Sequence, residues 1–500
     1  MQPVLTSTQM RHADQAATQS FGISEAVLME HAAMALVAAL RQRFGPLLPK
    51  TRGWIVAGSG NNGGDVLAAA RLLHQEGCTD LRVVCVSDKL SPTAETQRKS
   101  LESLGVPIAR KLGVFEGDWV LDGVFGTGLC RPVEGAPRAA IEAIAALFGR
   151  AWIVSADVPS GLSADTGLAQ PVAVRANHTV CFGFYKMGLL TGDAGNYVGR
   201  LELAPIGIPR ECAREVEAVL WEVPQARRAL PPRPAASHKG TFGKVSILAG
   251  GPNQEGAAAL VALAALRTGA GTVTVRASRE TLDSLRPRLV AEVMTAEWSA
   301  APVPADHVLV VGPGFGLGAG ALETLEQALQ HPGPLVLDAD ALTLLGTHPA
   351  LYSKLKDRAA ATVLTPHPKE AACLLGAGET AQTVQTKRYA TVKTLSSRSH
   401  CTVLLKGYGT LIADMSAKVR LIGAGDAGLA KGGSGDTLAG ITAAWLAQGA
   451  APLDAACLAA LALGTASERL TQRYGHTRSS LASEVSETLP LVLREWEWGT

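Results

Sequence analysis

Four short strings in this 500-residue chain combine glycine with side chains able to carry charge or protons. The first, Gly58-Ser-Gly-Asn-Asn-Gly-Gly-Asp65, stands between an apolar run and a helical one. Its spacing lets backbone N–H groups approach a phosphate, and Asn61, Asn62 and Asp65 add oxygens within reach of a cation or a ribose. A loop that only packs a strand tightly onto a helix would show the same glycines. In the second and third strings, Asp122-Gly-Val-Phe-Gly-Thr-Gly128 and Asp157-Val-Pro-Ser-Gly161, a carboxylate closes an apolar run. Such a carboxylate either meets a ligand or caps the following turn. The fourth is Gly432-Gly-Ser-Gly-Asp436, followed by Leu438, Ile441, Trp445 and Leu446 at helical spacing. Glycines there aim N–H groups at an anion beside a helix N-terminus, and Asp436 can take a proton from an attacking hydroxyl; phosphoryl transfer needs both. A rival string, Gly423–Asp426, precedes a stretch too short and glycine-rich for a helix and reads as a turn.

The elements that must hold these strings alternate between strands and helices. Strands are expected at Trp54–Ala57, Leu81–Val86, Trp119–Asp122, Trp152–Ser155 and Thr179–Phe182, then at Lys244–Leu248, Thr272–Val275, Val308–Val311, Leu335–Leu337, Thr362–Leu364 and Val403–Leu405. Ser24 can cap a helix reaching about Phe44, with Val27, Leu28, His31, Met34 and Leu36 near helical spacing. Apolar runs separated by Ala-rich helical patterns predict parallel α/β sheets, whose ligands bind at the carboxyl ends of the strands. Nearly every unusual string falls at such an end. Length alone suggests about three domains. The four prolines and three arginines of Val223–Ser237 argue instead for one linker, with domains at 1–222 and 238–500.

Composition narrows the classes. Lys plus Arg number 46 and Asp plus Glu 44, a formal charge of +2, which argues against a nucleic-acid binder or a polybasic membrane binder. The longest charge-free run, 437–453, falls short of a membrane span. The 8 cysteines form no C-x-x-C pair and read as isolated thiols, so a cytoplasmic protein is expected. Ala-rich stretches such as Ala455–Leu463 suit subunit faces as well as core, and a homo-oligomer is expected.

Residues 1–220 resemble the NAD(P)H-hydrate epimerases through Ala57–Asp65, Leu121–Leu129, Asp157–Leu162 and Phe184–Leu190. The remainder resembles the ADP-dependent NAD(P)H-hydrate dehydratases, which are ribokinase-like. It does so through His238–Gly243, Gly256–Ala258, Gly312–Gly316, Leu337–Leu342, Leu364–Glu370, Leu405–Thr410 and Gly432–Asp436. The implied fold is α/β, a Rossmann-like three-layer domain followed by a ribokinase-like α/β domain. By this resemblance Asn61, Asn62, Gly63, Gly64, Asp65 and the segment Gly126, Thr127, Gly128, Leu129, Cys130, Arg131 and Pro132 hold the dinucleotide. Asn62, Asp122 and Ser160 supply oxygens to a potassium ion, and Asp157 faces the nicotinamide ring with Lys186 as its electrostatic partner. Lys406, Gly407, Tyr408, Gly409, Thr410 and Gly435 contact ADP, the co-substrate, with Mg2+ on its phosphates. Ala257, Gly316, His367 and Asp436 face the hydrate, although His367 by itself fits an ordinary strand-end histidine equally. The sequence departs from the pattern at Val66, Pro252, Gln254, Glu255 and Lys431.

The activity this implies is repair of hydrated NADH and NADPH, by epimer exchange in one half and ADP-dependent dehydration of the S epimer in the other. The ligands are then the hydrates and ADP. Other readings are a ribokinase-like small-molecule kinase fused to a dinucleotide-binding domain, a nicotinamide dehydrogenase, or a nucleotide sensor. Asp157, Lys186 and Asp436 argue against the last, since a mere binder could lose them.

Overall fold

A computed structural model describes residues 1–500 except 130, 214, 215, 217, 299–301, 417, 499 and 500. The chain divides into two compact units, Gln2–Glu217 and Ala218–Thr500.

In the N-terminal unit the strands are β1 (Gln2–Leu5), β2 (Gly53–Ala57), β3 (Leu81–Cys85), β4 (Ile108–Ala109), β5 (Trp119–Gly123), β6 (Trp152–Ala156), β7 (His178–Phe182), β8 (Tyr185–Lys186) and β9 (Arg200–Ala204). Seven of them form a parallel sheet in the order β4-β3-β2-β5-β6-β7-β9, while β1 pairs with β8. The period-2 alternation of each strand feeds two cores. Ile55, Ala57, Val83, Leu121 and Val154 pack under α2 (Glu25–Phe44), α3 (Asn61–Gln75) and α4 (Pro92–Ser103). Trp54, Val56, Val84 and Val120 pack on the opposite face under α5 (Gly135–Ala145). The result is three layers, with α1 (Ser7–Gln19) preceding them. Ser24 caps α2 as expected, its side chain accepting from Val27 N. The buried face of that helix is Leu28, Met29, Ala32, Ala33, Leu36, Val37 and Leu40; Val27 and Met34 are exposed, because helical spacing alone does not say which arc meets the sheet.

The C-terminal unit holds β10 (Ala218–Leu220), β11 (Lys244–Leu248), β12 (Thr272–Ala277), β13 (Met294–Glu297), β14 (His307–Val311), β15 (Leu335–Leu337), β16 (Thr362–Leu364), β17 (Thr402–Leu405), β18 (Thr410–Ala413) and β19 (Val419–Ile422). Their order is β13-β12-β11-β14-β15-β16-β17-β18-β19-β10. All pairs are parallel save β17 with β18 and β18 with β19. One face packs Val245, Ile247, Val275, Val310 and Val336 against α7 (Glu255–Arg267) and the helices Ser434–Ala447 and Pro452–Tyr474. The alternate residues Leu309, Val311, Leu335 and Leu337 are equally buried, so both faces are covered. Ala455–Leu463 lies in this core.

The Pro/Arg-rich segment differs from its expectation. Val223–Ala229 is a short helix, α6, which starts with Pro224 at its first turn, where a missing N–H costs nothing. Trp221 and Ala226 are buried in the C-terminal core. Among the described residues no helix is long and apolar enough to cross a membrane.

Candidate functional site

In the N-terminal sheet the chain runs outward from β2 on one side and from its neighbour β5 on the other. Ligand crevices of open parallel sheets form at such a reversal. Here the loops after β2 and β5 line a cavity of about 470 Å3, through Ser59–Asn62 and Val124–Gly128. Asp157, Lys186 and Asp65 line it too. Asp157 follows β6 with φ at 63°, rare for a residue with a side chain. Its Oδ1 accepts from Phe182 N at 3.1 Å and from the Lys186 ammonium. Lys186 is fully buried and also donates to Phe182 O at 2.6 Å. Burial opposes its charge, but Asp157 and Cys181 outweigh this and hold its pKa above the ordinary lysine value.

Two further carboxyls in the cavity, Asp14 on α1 and Glu25 at the start of α2, carried no motif that would single them out. The Asp14 pKa is pushed up to about 6, chiefly by burial, with Asp157 and Glu25 adding and Lys186 opposing. Asp65 is held well above the carboxylate range by burial, then by Asp157 and Asp14.

Of the three expected cation ligands, Asp122 and Ser160 are bonded to each other, and Asn62 reaches the loop after β5 at Gly126. Asp122, fully buried at the end of β5, accepts from Ser155 Oγ at 2.8 Å, Ser160 N at 2.9 Å and Val124 N at 3.4 Å. Burial raises its pKa even against those bonds. Ser160 Oγ accepts from Phe125 N at 2.8 Å. The Asn62 amide is buried, and among the described residues neither its oxygen nor its nitrogen has a hydrogen-bond partner. A Cβ on Gly126 would come within 3.1 Å of Asn62 Oδ1, so that glycine is where the loop meets the amide.

Other expected residues sit differently. Asn61 and Thr127 line the cavity, although the Asn61 oxygen also accepts from Ser91 Oγ at 2.7 Å and Thr93 Oγ1 at 3.0 Å. Gly63 and Gly64 shape the strand-to-helix junction, since a Cβ would meet Gly58 O at 2.2 Å or Met29 Cε at 2.3 Å. Leu129 packs against the core under α5, whereas Arg131 and Pro132 are exposed; none of the three lines the cavity. Cys130 lies outside the described residues. Val66 fills the space left by Gly123, where a Cβ would lie 2.5 Å from its Cγ2.

The C-terminal sheet reverses in the same way between β11 and β14. Their loops bind each other, Gly250 N donating to Pro313 O at 2.9 Å and Gly251 N to Gly314 O. Ala257 on α7 packs on Gly314, and Gly316 N donates to Asp340 Oδ2 at 2.8 Å. Lys406, at the end of β17, places Nζ 2.7 Å from Asp338 Oδ1 and 3.7 Å from Glu370 Oε2. Gly435 closes over this cluster, since a Cβ there would lie 3.4 Å from Lys406 Nζ and 3.6 Å from Asp338 Oδ2. Asp436 stands in the first turn of Ser434–Ala447. Burial, then Asp338, push its pKa up to about 6 against the pull of Lys406. Glu370 is pushed up to about 7 by burial, with Lys406 opposing. His367 caps the helix Pro368–Leu375 through Nδ1, and its Nε2 lies 3.2 Å from Glu370 Oε1. Burial and Lys406 hold its pKa below the ordinary histidine value. Thus Lys406 is turned into a carboxylate cluster, while Tyr408 on the β17–β18 turn is 44% exposed. Asp338 and Glu370 belong to strings that stood out, but their pairing with Lys406 was not legible. Asp426 accepts from Gly428 N at 2.9 Å and Ser467 Oγ at 2.7 Å, a turn carboxylate. Lys431 donates to Arg478 O at 2.5 Å and Ser480 O at 2.8 Å.

Two family models divide the chain as the two units do. Residues 25–188 match the YjeF-related protein N-terminus, and residues 245–491 match NAD(P)H-hydrate dehydratase. The bifunctional NAD(P)H-hydrate repair enzyme of Escherichia coli is 34% identical over 494 residues, which cover 97% of this chain and 92% of that one. This chain belongs to the bifunctional NAD(P)H-hydrate repair enzyme family. The enzyme of that description from Moorella thermoacetica is 32% identical, with 99% and 97% covered. Among solved structures, the ADP/ATP-dependent NAD(P)H-hydrate dehydratase of Bacillus subtilis, crystallised with ATP and Mg2+, is similar to the C-terminal unit. It is 29% identical with a TM-score of 0.50, covering 56% of this chain and 98% of that one. The C-terminal unit thus shares its α/β fold with that dehydratase.

Proposed function

We propose that the N-terminal unit exchanges the R and S epimers of hydrated NADH and NADPH, and that the C-terminal unit dehydrates the S epimer at the expense of ADP. The observation that carries this is a pair of separate sites in one family member: a buried Asp157–Lys186 pair in a glycine-loop cavity, and Asp436 at a helix N-terminus beside Lys406. In the first, Ser59–Asn62 and Val124–Gly128 cradle the dinucleotide and Asp157 works at its ring. The Lys186 ammonium keeps the Asp157 carboxylate oriented. Asn62, Asp122 and Ser160 fit a potassium ion, because among the described residues the buried Asn62 oxygen lacks a donor and Asp122 needs countercharge. When bound, the ion supplies that charge and fixes the loop.

In the second site Asp436 takes the proton of the ring hydroxyl while its oxygen takes the terminal phosphoryl of ADP, releasing AMP. The C–O bond then breaks with phosphate, a far better leaving group than hydroxide, and loss of a proton from the next carbon restores the double bond. The backbone N–H groups at Gly433–Gly435 meet the transferring oxygens. Lys406 draws Asp338 and Glu370 together, and these acids exceed the positive charge that faces them. That donor set fits a Mg2+ carried in on the nucleotide phosphates, where it supplies charge neutralisation.

The test supplies both NADPH hydrate epimers with ADP and follows the return of NADPH absorbance. Full recovery of both is expected, and replacing potassium by tetramethylammonium should slow only the R epimer. No recovery with ADP or ATP refutes the assignment, and a stable phosphorylated product would make the C-terminal unit an ordinary kinase.

A further inference from the structure

Water added across the enamine double bond of a reduced nicotinamide leaves its hydroxyl on the carbon beside the ring nitrogen. Exchanging epimers means breaking the bond to that oxygen on one face and remaking it on the other. A single carboxylate beside a bound ring serves one face, so the chemistry calls for a second proton-transfer group.

The cavity supplies one. Asp14 enters it from α1, whereas Asp157 enters from the end of β6. Among the described residues the Asp14 carboxyl has no hydrogen-bond partner; only burial and charge act on it. Asp122, by contrast, spends its oxygens on Ser155, Ser160 and Val124. Asp65, 9% exposed, lines the same space and is likewise governed by burial and neighbouring charge. Asp14 is half-buried, and an acid partly withdrawn from water without a hydrogen-bond partner is held there at a cost that a ligand can relieve.

We infer that Asp14 is a second catalytic carboxyl of the N-terminal site, passing a proton to or from the ring hydroxyl while Asp157 serves the other face. The inference rests on the epimerase reading above. In one direction the Asp14 carboxylic acid protonates the hydroxyl. The C–O bond breaks with its electron pair on oxygen, releasing water, and the nitrogen lone pair forms a C=N+ bond. Water then adds from the other face. The C=N pair returns to nitrogen, and the proton released goes to the Asp157 carboxylate. The reverse exchange swaps the two roles, and solvent returns the proton after each net turnover.

Asp14 is faced by Lys186, Asp157 and Glu25, with Asp65 in the same cavity and Arg11 on its own helix. A pKa raised to about 6 leaves its acid form available near neutrality. Acid catalysis then weakens as pH rises through that value.

Three measurements on the full chain decide the matter. Asp14→Asn should lower kcat for epimer exchange about 100-fold or more, leave KM for the hydrate within about threefold, and lose the alkaline decline. Asp14→Glu should restore part of the rate, which a purely structural role would not. Exchange by the unaltered protein in 18O-water should place label in both epimers. If Asp14→Asn exchanges epimers at the unaltered rate, or loses KM in proportion to kcat with no help from Glu, the assignment of Asp14 fails. Exchange without label removes the C–O step. An unaltered protein that exchanges no epimers defeats the epimerase reading itself, a separate outcome.

Discussion

Asp436 shows how one side chain is tuned by its surroundings. The first turn of a helix favours its negative charge, yet burial and the neighbouring Asp338 and Asp340 push its pKa up to about 6. A general base acts only when ionised, so dehydration should increase as pH rises through about 6 and level off above it, read from initial rates at saturating ADP. Asp436→Asn should cut the dehydration rate by about 10²–10⁴ and leave epimer exchange intact; loss of both activities together would show that the sites are not independent. The glycine string before a helical pattern made Asp436 legible from sequence alone, because spacing encodes a helix N-terminus. Asp157 stood out as a carboxylate closing an apolar run, but only the resemblance pointed to Lys186 as its partner, which Asp157 meets from a left-handed backbone. Asp14 was silent. It sits in a helix whose exposed residues are mostly polar, where one more carboxylate looks like surface.

Elements carry the next level of control, and Arg388 is the clearest case. It opens the helix Arg388–Ser399 and sends its guanidinium into the β17–β18 turn, donating to Lys406 O at 3.2 Å, Leu405 O at 3.3 Å and Gly409 O at 3.0 Å. Gly407 is required there: its φ is 138°, and a Cβ would lie 2.7 Å from Arg388 Nη1. Burial lowers the Arg388 pKa to about 10, so it stays charged at neutral pH. Arg388→Ala orphans three carbonyls and should destabilise the C-terminal unit by about 2–4 kcal/mol. It should also raise KM for ADP about tenfold, because the loosened turn carries Gly407–Thr410. A thermal melt with an ADP titration reads both, and an unchanged KM would separate this turn from the nucleotide. At this scale β2, β3, β5–β7, β11, β12 and β14–β17 were legible to within a residue or two, as continuous apolar runs between turn signals. The antiparallel β18 and β19, the two-residue β4 and β8, and the parallel β1, β9, β10 and β13 were not. Such pieces depend on pairing partners remote in sequence, which local pattern does not contain.

The border between the two units is a property of the whole chain, and composition placed it too late. Four prolines between 223 and 237 look like a linker, because proline cannot continue most regular structure. The border instead precedes β10, whose residues Ala218–Leu220 pair with Val419–Leu421 of β19. Directly after β10, Trp221 N donates to Leu421 O at 2.9 Å, and its indole is 3% exposed within the C-terminal core. Ala226 of α6 is wholly buried in that core as well. A fragment starting at 218 therefore keeps its last strand and the tryptophan, while one starting at 238 exposes the edge of β19 and a cavity the size of an indole. Losing a buried tryptophan alone costs about 3–5 kcal/mol, which in a unit of this size lowers Tm by on the order of 10 °C. Both fragments contain Asp338, Lys406 and Asp436, so both hold the chemistry of dehydration, and the difference should appear as stability. Melting the two side by side, with dehydration of the S epimer assayed at a temperature where both remain folded, tests this directly. Equal melting temperatures would return 218–237 to the role of a linker.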